Sequence, residues 1–255
     1  MNTLHVKPIY QALLLAAGEG TRLRPLTLTT PKCLVPVLGR PLLGYWLQLL
    51  ARGPSPGNVW INTSYLASQV RDFLKASEPV YPHLSIRQTF EPQLLGTAGT
   101  LVNLLGKLQP DQDLLLAHAD NLSWFSLQEF LNAHQKRPLG TELTMMTFRT
   151  DTPQSCGIVE VDKQNVVRVF HEKVARPPSN LANGAVYLIS PAGLARIKSM
   201  GPMFEFSTQV IPQFMGKIYC WQNTTYHRDI GNTQAYQASQ SDFWSVAAKF
   251  GLNTE

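Results

Sequence analysis

The feature that most constrains this chain is a buried strand that ends in a glycine loop. Six consecutive apolar residues, 12–17, precede Gly18-Glu19-Gly20. A continuous apolar run of this length is typical of a parallel strand that is buried on both faces, as in α/β proteins. The two glycines let backbone N–H groups turn toward an anion with no Cβ in the way. The sequence therefore predicts an α/β protein with a phosphate-binding loop after its first strand.

The patterns that follow this strand alternate between helix and strand. Pro41 precedes apolar residues at helical spacing, and Gly53 is placed to end that helix. Further strands are predicted over 59–61, 84–90, 114–117 and 144–148, and helices over 70–74, 97–105 and 127–134. The later part predicts a hairpin (158–161 and 166–170), a strand (185–189) and helices over 192–200, 207–215 (capped by Ser207) and 233–249. This order predicts a doubly wound, mixed but mainly parallel sheet with a small antiparallel excursion.

The amino-acid composition indicates the broad class of protein. Hydrophobic residues make up 44% of 255 residues, which provides a large core and excludes a disordered chain. The net charge of +5 is spread without a basic cluster, which suits small polyanions and argues against nucleic acid. No apolar run approaches the roughly 18 residues of a membrane span, and residues 1–11 lack the apolar core of a signal peptide. We expect a cytoplasmic protein with no membrane partner, in which Cys33, Cys156 and Cys220 are free core thiols.

The loop itself excludes two common nucleotide-binding motifs. A dinucleotide fingerprint needs a third glycine where Leu23 stands, and a Walker A loop needs Gly-Lys-Ser/Thr. Instead the loop places the guanidinium of Arg22 and the ammonium of Lys32 beside the glycines, which suits a triphosphate. Taken alone, a Gly-x-Gly string is also compatible with a tight turn flanked by solvated basic residues.

The string from residue 14 to residue 41 resembles the signature of the sugar-1-phosphate nucleotidylyltransferases, or NDP-sugar pyrophosphorylases. That signature reads G-x-G-T-R-L-x-P-L-T and then P-K. Five further elements follow in the family's order, and the resemblance is closest to mannose-1-phosphate guanylyltransferase-like members. They are Gly96-Thr97-Ala98-Gly99, Asp120 after a strand, Cys156-Gly157-Ile158-Val159 with Glu172-Lys173, the loop 179–184, and Arg228-Asp229-Ile230-Gly231.

The resemblance implies a Rossmann-like nucleotidyltransferase fold and an enzyme whose partners are an NTP and a sugar 1-phosphate. It implies catalytic roles for Arg22 and Lys32, and a Mg²⁺ cofactor held by Asp120 and Asp229, because Mg²⁺ prefers oxygen ligands. The implied nucleotide-binding residues are Ala16, Ala17, Gly18, Gly20, Thr21, Glu91, Gly96 and Thr97. The implied sugar-phosphate-binding residues are Gly157, Glu172, Lys173 and Asn183. Each aspartate could instead be an ordinary turn residue, and the Glu-Lys pair a solvated loop.

Glu91 bears on the choice of base. The resemblance puts a base-reading side chain five residues before Gly96, where Glu91 stands. A carboxylate only accepts hydrogen bonds, and guanine offers two adjacent donors, whereas uracil and thymine offer one N–H between carbonyls. This favours GTP, although a Glu before Pro92 could also face water. The family pattern is broken at Ala119 and His118, the latter being interpreted as a packed residue at a strand end.

The predicted organisation is one nucleotidyltransferase domain over residues 1–255. Residues 11–150 form mainly the nucleotide-binding half and residues 151–240 mainly the sugar-phosphate-binding half, with no C-terminal β-helix expected. The alternatives left open are a glucose-1-phosphate thymidylyl- or uridylyltransferase, a catalytically silent regulator that binds nucleotide sugars, and, more remotely, a dinucleotide-dependent oxidoreductase. A homo-oligomer is left open, because Phe243, Trp244 and Phe250 fit either a core or an interface.

Overall fold

The fold was analysed in a computed structural model, which describes residues 10–252. The predicted absence of a signal peptide concerns residues that lie largely outside this range. The described residues form thirteen strands and seven α-helices, joined by short 3₁₀ turns. The strands are β1 (Tyr10–Leu15), β2 (Pro36–Val37), β3 (Arg40–Pro41), β4 (Val59–Thr63), β5 (Ile86–Phe90), β6 (Asp113–His118), β7 (Asn121–Trp124), β8 (Leu143–Arg149), β9 (Gly157–Val161), β10 (Val167–Glu172), β11 (Leu181–Ile189), β12 (Ile218–Gln222) and β13 (Tyr226–Asp229). The helices are α1 (Leu42–Arg52), α2 (Ala67–Ser77), α3 (Gly96–Leu104), α4 (Leu127–Gln135), α5 (Pro191–Ser199), α6 (Thr233–Asp242) and α7 (Trp244–Lys249).

Nine of these strands form one mixed sheet. Its main path runs β10-β9-β11-β6-β1-β4-β5, and β8 joins β11 to β12. Because β1 pairs in parallel with β4 and β6, and β8 in parallel with β12, seven strands share one direction. Strands β11 and β10 run the opposite way. This confirms the predicted α/β fold with a mainly parallel sheet and an antiparallel excursion.

The sheet is covered on both faces. Ala12 and Leu14 face a core formed with α1, α4 and the C-terminal helices, whereas Leu13 and Leu15 face a second core formed with α3 and α5. Every residue of β1 is buried. The apolar run therefore marks a central strand of a doubly wound sheet, as predicted. No helix in the range 10–252 combines the length and apolar character needed to cross a bilayer.

The main correction concerns residues 207–215. They form a π-helical turn (Phe206–Val210) and a 3₁₀ turn (Ile211–Phe214) instead of one α-helix, and no side chain caps the first turn, so the predicted cap by Ser207 is wrong. Pro212 explains the break, because it has no N–H for the helix ladder and its ring clashes with the carbonyl four residues earlier.

Two smaller corrections concern the C-terminal region and a cysteine. The predicted helix over 233–249 is divided between α6 and α7 by Phe243, which is fully buried against Tyr45, with ring centroids 5.1 Å apart. Cys33 and Cys220 are buried free thiols, as expected. Cys156 is only partly buried and lines a cavity, so it is not a core residue.

Candidate active site

The glycine loop leaves β1 and wraps around the stem of Lys32. Gly20 has φ of 65°, and a Cβ at this position would lie 2.9 Å from the Cβ of Lys32. The Thr27 hydroxyl donates to the Gly20 carbonyl at 2.8 Å and fixes the turn. Around Gly18, by contrast, a Cβ would meet no atom within 4 Å, which leaves room for a ligand above its backbone. The loop therefore needs glycine at residue 20 to approach Lys32 and is open at residue 18.

Lys32 lies at the centre of the site. Its side chain is mostly buried, and its Nζ is 2.5 Å from Asp120 Oδ2. Burial by itself raises the pKa of Asp120, but the ammonium of Lys32, the nearby His118 and hydrogen bonds outweigh it and hold the pKa below its usual range. Asp120 therefore carries a negative charge beside the glycine loop.

A separate two-stranded ladder brings the second predicted metal ligand to this point. Strand β7 starts directly after Asp120 and pairs antiparallel with β13, so that Asn121 is opposite Asp229. The two aspartates, more than a hundred residues apart in sequence, therefore line the same cavity together with Arg22 and Lys32. A Cβ at Gly231 would lie 2.9 Å from Asp229 Oδ2 and 3.3 Å from Arg22 Nη2, which places these two groups on either side of one glycine.

Three adjoining cavities meet at Asp120. The first, of about 300 Å³, lies at the start of α3 and is called the α3 cavity; it is lined by Ala17, Gly18, Glu91, Gly96 and Thr97 among others. The second, of about 250 Å³, is called the β11 cavity; it is lined by Gly157, Glu172, Lys173 and Asn183, with Arg22, Lys32, Asp120 and Asp229. A third cavity of about 220 Å³ is lined by Gly18, Gly20, Thr21 and Arg22. The structure thus brings together all the predicted site residues except Ala16.

Ala16 is held away from these cavities. It is buried, and its N–H donates to Asn62 Oδ1 at 2.7 Å. This amide is therefore unavailable to a phosphate in this conformation. Asn62 in turn donates to Glu91 Oε1 at 3.1 Å, so that the start of the glycine loop is tied to β4 and to Glu91.

Glu91 lines the α3 cavity, but protein donors occupy most of its carboxylate. It is only 3% exposed, so it does not simply face water. Oε1 accepts from Asn62 and, at 2.7 Å, from the Thr100 hydroxyl, while Oε2 accepts from the Leu95 N–H at 3.2 Å. Since each carboxylate oxygen accepts about two hydrogen bonds, Oε2 keeps one acceptor position for a base. Bidentate pairing with guanine would require one of the Oε1 bonds to move.

The β11 cavity is shaped by irregular backbone. A Cβ at Gly157 would lie 2.5 Å from Phe170 Cζ and 3.0 Å from Glu172 Oε2, so glycine makes room for this ring first and for the carboxylate second. Lys173 has φ of 50°, and its Nζ is 3.5 Å from Glu172 Oε1. Asn183 accepts from the Ala185 N–H at 3.0 Å and donates to the Tyr187 hydroxyl at 2.7 Å, which fixes its amide at the cavity wall.

The glycines of the predicted Gly-Thr-Ala-Gly element serve a close backbone approach. Gly96 has φ of 77°, and a Cβ there would lie 2.3 Å from the Phe204 carbonyl oxygen. A Cβ at Gly99 would lie 3.0 Å from the carbonyl oxygen of Met203. The Ala98 N–H donates to the Phe204 carbonyl at 2.9 Å. This element therefore seats the segment 203–206 on the first turn of α3.

Several residues at the site were not among the predicted ones. His118, interpreted from sequence as a packed residue, lines both the α3 and the β11 cavity, and burial lowers its pKa despite the nearby carboxylates. His227 lines the β11 cavity with its Nδ1 2.6 Å from Ser123 Oγ, and burial lowers its pKa to about 3. Tyr187 and Glu205 also line this cavity. For Glu205 the only signal in the sequence is a carboxylate between two phenylalanines.

The donor set at Asp120 and Asp229 fits a hard divalent cation. Both are oxygen ligands, and Lys32 already holds Asp120 in its charged form. In the part of the chain that the structure describes, no group of three or more His, Cys, Asp or Glu side chains is arranged to hold a metal ion. Mg²⁺ commonly uses one or two carboxylates and completes its shell with water and substrate phosphates. Two aspartates are therefore sufficient for such a site.

The fold and these cavities define an α/β protein with a glycine loop beside a cavity that two aspartates line. The family model described as "Nucleotidyl transferase" matches residues 11–244, and the chain belongs to this family. The resemblance identified from the sequence motifs is thereby confirmed at the family level.

Named relatives and solved structures agree with this placement. A mannose-1-phosphate guanylyltransferase of Mycobacterium tuberculosis is 29% identical over 235 residues, covering 91% of this chain and 64% of that protein. The chain therefore spans slightly less than two thirds of this relative's length. A candidate glucose-1-phosphate thymidylyltransferase from Bacillus anthracis superposes with a TM-score of 0.79 at 19% identity, covering 91% of this chain and 94% of that one. HddC from Yersinia pseudotuberculosis, complexed with GMP-PN, superposes with a TM-score of 0.75 at 22% identity, covering 92% and 99%. At these identities the structures support the fold alone.

Proposed function

We propose that this chain is an enzyme that transfers a nucleotidyl group from an NTP to a sugar 1-phosphate. A phosphate oxygen of the sugar 1-phosphate attacks the α-phosphorus of the NTP, the bond between the α- and β-phosphates breaks, and the products are an NDP-sugar and pyrophosphate. The observation that carries this proposal is the meeting of two cavities at Asp120, one beside the glycine loop and one beside Glu172 and Lys173. Two substrates can thus approach one charged centre from opposite sides.

The residues at this centre suit a reaction between two anions. Lys32 can turn its ammonium from Asp120 toward the α-phosphate, and Arg22 faces the loop where the β- and γ-phosphates and the departing pyrophosphate would lie. Lys173 and Asn183 would hold the sugar phosphate, and Glu172 would accept from sugar hydroxyls. Asp120 and Asp229 would hold Mg²⁺, which when bound neutralises phosphate charge. None of these side chains has to form a covalent bond with a substrate.

We favour GTP as the nucleotide and mannose 1-phosphate, or a related hexose or heptose 1-phosphate, as the acceptor. The similarity to a mannose-1-phosphate guanylyltransferase supports this choice. Glu91 offers one acceptor position on Oε2 to the base, and the bidentate pairing that would select guanine requires one of the hydrogen bonds to Oε1 to be displaced. The alternative is a glucose-1-phosphate thymidylyl- or uridylyltransferase, which would use the same transfer chemistry with another base and sugar. We further propose that the reaction takes place in the cytoplasm.

The test is pyrophosphate release by the full chain with Mg²⁺, each of GTP, UTP, CTP, ATP and dTTP, and a panel of sugar 1-phosphates. The expected result is release that depends on both substrates, is fastest with GTP and yields an NDP-sugar detected by mass spectrometry. Release that is fastest with dTTP or UTP would support the alternative. If no combination of substrates gives pyrophosphate release although nucleotides bind tightly, the proposal is overturned in favour of a nucleotide-sugar-binding regulator.

A further inference from the structure

One segment at the site is not used by the proposed reaction. Residues 203–206 follow α5, and three of them line the two cavities. Phe204 lines the α3 cavity, Glu205 lines both cavities, and Phe206 lines the β11 cavity. The residues common to the two cavities are Thr97, His118, Asp120 and Glu205, so Glu205 belongs to the wall that separates them.

This segment is held firmly by hydrogen bonds. The N–H groups of Phe204 and Glu205 both donate to Gln209 Oε1, at 2.6 and 2.8 Å. The Phe206 N–H donates to the Thr97 hydroxyl oxygen at 2.8 Å, and the Phe206 side chain is buried. Met203 packs against the second core. The segment therefore presents Phe204 and Glu205 from a fixed backbone.

Phe204 is an exposed aromatic ring at the wall of a cavity. Its side chain is 52% exposed, and its Cγ and Cδ2 lie against Gly96, where a Cβ would come within 2.7 Å of Cγ. Leu94, which is 43% exposed, lines the same cavity. Exposed apolar side chains at the mouth of a cavity are a common surface for a flat ligand ring, and base-aromatic stacking contributes about 1–3 kcal/mol per base.

Glu205 is a carboxylate with spare acceptor capacity. Its Oε2 accepts from the Thr97 hydroxyl at 3.1 Å. Among residues 10–252 it forms no ion pair of 4.0 Å or less. A carboxylate beside a triphosphate site adds repulsion unless the ligand presents hydrogen-bond donors to it, and hydroxyl groups are such donors.

The order of these residues matches the order of groups in a nucleoside phosphate. Its phosphates would lie at Gly18, Lys32 and Asp120, and its base in the α3 cavity, so its ribose would lie between them. Glu205 is at this boundary, one residue from the ring of Phe204 on the base side. We propose that segment 203–206 recognises the nucleoside: Phe204 stacks on the base and Glu205 accepts hydrogen bonds from ribose hydroxyls. This assignment rests on the proposed function, from which the direction of the nucleotide follows.

The test is the binding of GTP, 2′-deoxy-GTP and 3′-deoxy-GTP, measured by calorimetry without a sugar 1-phosphate. Wild-type protein is expected to bind GTP about 10- to 100-fold more tightly than at least one deoxy analogue, the ratio expected for one hydrogen bond to a charged group. Glu205→Ala should bring this ratio close to one. Phe204→Ala should weaken all three nucleotides about 10-fold, and Phe204→Trp should restore the affinity.

Matched controls are Glu78→Gln and Trp244→Ala, an exposed carboxylate and an exposed aromatic residue away from the cavities. Thermal melting of each variant separates lost recognition from lost folding. Unchanged ratios in Glu205→Ala and unchanged affinities in Phe204→Ala would overturn the proposal. If Glu205→Ala instead alters only the preference between mannose 1-phosphate and glucose 1-phosphate, the carboxylate contacts the acceptor sugar, and the ribose assignment is wrong.

The two proposals fail in different ways. Wild-type protein that binds nucleotides with the expected ratios but releases no pyrophosphate would overturn the proposed function and leave nucleoside recognition supported. If the wild-type protein is active, and the Phe204→Ala and Glu205→Ala variants bind nucleotides as the wild type does, only the recognition by Phe204 and Glu205 is overturned.

Discussion

At the scale of single residues, the charged centre depends on Asp120. Its carboxylate contacts Lys32 and lies where the cavities meet. Asp229 is distant from Asp120 in sequence, and the pairing of β7 with β13 places it at the same cavity. Asp120 is therefore the residue whose charge can be removed with least change in shape and most effect on the proposed chemistry.

Asp120→Asn should abolish turnover while the protein stays folded. The amide keeps the size of the side chain but removes the negative charge that faces Lys32 and that would hold Mg²⁺, so we expect kcat to fall at least about 100-fold. Pyrophosphate release and far-ultraviolet circular dichroism are the measurements, with Asp72→Asn on the exposed face of α2 as the control. Near-normal turnover would remove Asp120 from the proposed metal site.

Glu91→Gln should weaken the preference for GTP. The substitution replaces one acceptor oxygen by an NH₂ group, which cannot accept a hydrogen bond from guanine. We expect the ratio of kcat/KM for GTP to that for UTP to fall about 10-fold, together with some loss of stability, because Asn62, Thr100 and Leu95 all donate to this carboxylate. If the variant and the wild type prefer GTP over UTP equally, Glu91 does not read the base and serves only to hold the loop in place.

Site residues that lie within one continuous sequence motif could be predicted from the sequence. Several residues that only folding brings to the site could not. Arg22 and Lys32 are found because one unbroken string carries them and the glycines. Glu205 stands between two phenylalanines outside every predicted element, and His227 precedes the predicted element 228–231 without being part of it. Neither was therefore predicted, and tertiary contacts bring both to the cavities. The engagement of Ala16 by Asn62 is likewise a contact across 46 positions of sequence. The individual roles of the site residues remain predictions.

At the scale of elements, the sequence predicted most of the longer strands and helices, but Leu181–Ile189 is one strand although 179–184 was predicted as a loop. β1, β4 and β6 and helices α1 and α5 lie within a few residues of the predicted positions, because apolar spacing and flanking Pro or Gly define them. Strands β2, β3, β7 and β13, of two to four residues, were not predicted, since so short a run shows no periodicity. β12 was also missed. Pro212 was the signal that should have excluded a continuous helix over 207–215.

The bulge in β11 predicts a stabilising substitution. Ala185 has φ of 52°, where a Cβ costs roughly 1–2 kcal/mol, more than the roughly 0.4–1 kcal/mol of unfolded-chain entropy that glycine adds. The pairing of β11 with β8 is irregular between Asn183 and Tyr187. Ala185→Gly should therefore raise the free energy of unfolding by about 0.5–1 kcal/mol, measured by urea denaturation. The adjacent Gly184→Ala is the matched contrast and should destabilise the protein, because its Cβ would lie 3.1 Å from the Met146 carbonyl oxygen and 2.6 Å from Cε of that fully buried side chain. A loss of stability in Ala185→Gly would contradict this interpretation.

At the scale of the whole molecule, buried histidines set a direction for stability with pH. His134 is fully buried, its Nδ1 is 2.7 Å from the Thr144 hydroxyl, and its ring lies near Asp113 and Arg137. Burial lowers its pKa below 6.5 even though Asp113 acts in the opposite direction. Between the folded pKa and 6.5 the unfolded chain therefore binds a proton that the folded chain does not, and folding loses free energy as the pH falls.

The free energy of unfolding should therefore decrease as the pH falls below about 6.5, and be fully recovered above it. One such histidine contributes at most about 1.4 kcal/mol per pH unit. Because the pKa of His227 is also lowered, the contribution of His134 is read from the difference between wild type and His134→Gln across pH 5 to 8. The variant should show the shallower decline, and parallel curves would mean that His134 does not carry the effect.

The short ladder between β7 and β13 also has a consequence for the order of biosynthesis. Nearly every group beside the glycine loop belongs to the first half of the polypeptide, yet Asp229 is added only after more than a hundred further residues. Strands β1, β4 and β6 are translated well before β13, so the two aspartates cannot come to the same cavity until β13 has been made. The residues of the proposed triphosphate site are thus synthesised well before the second proposed metal ligand.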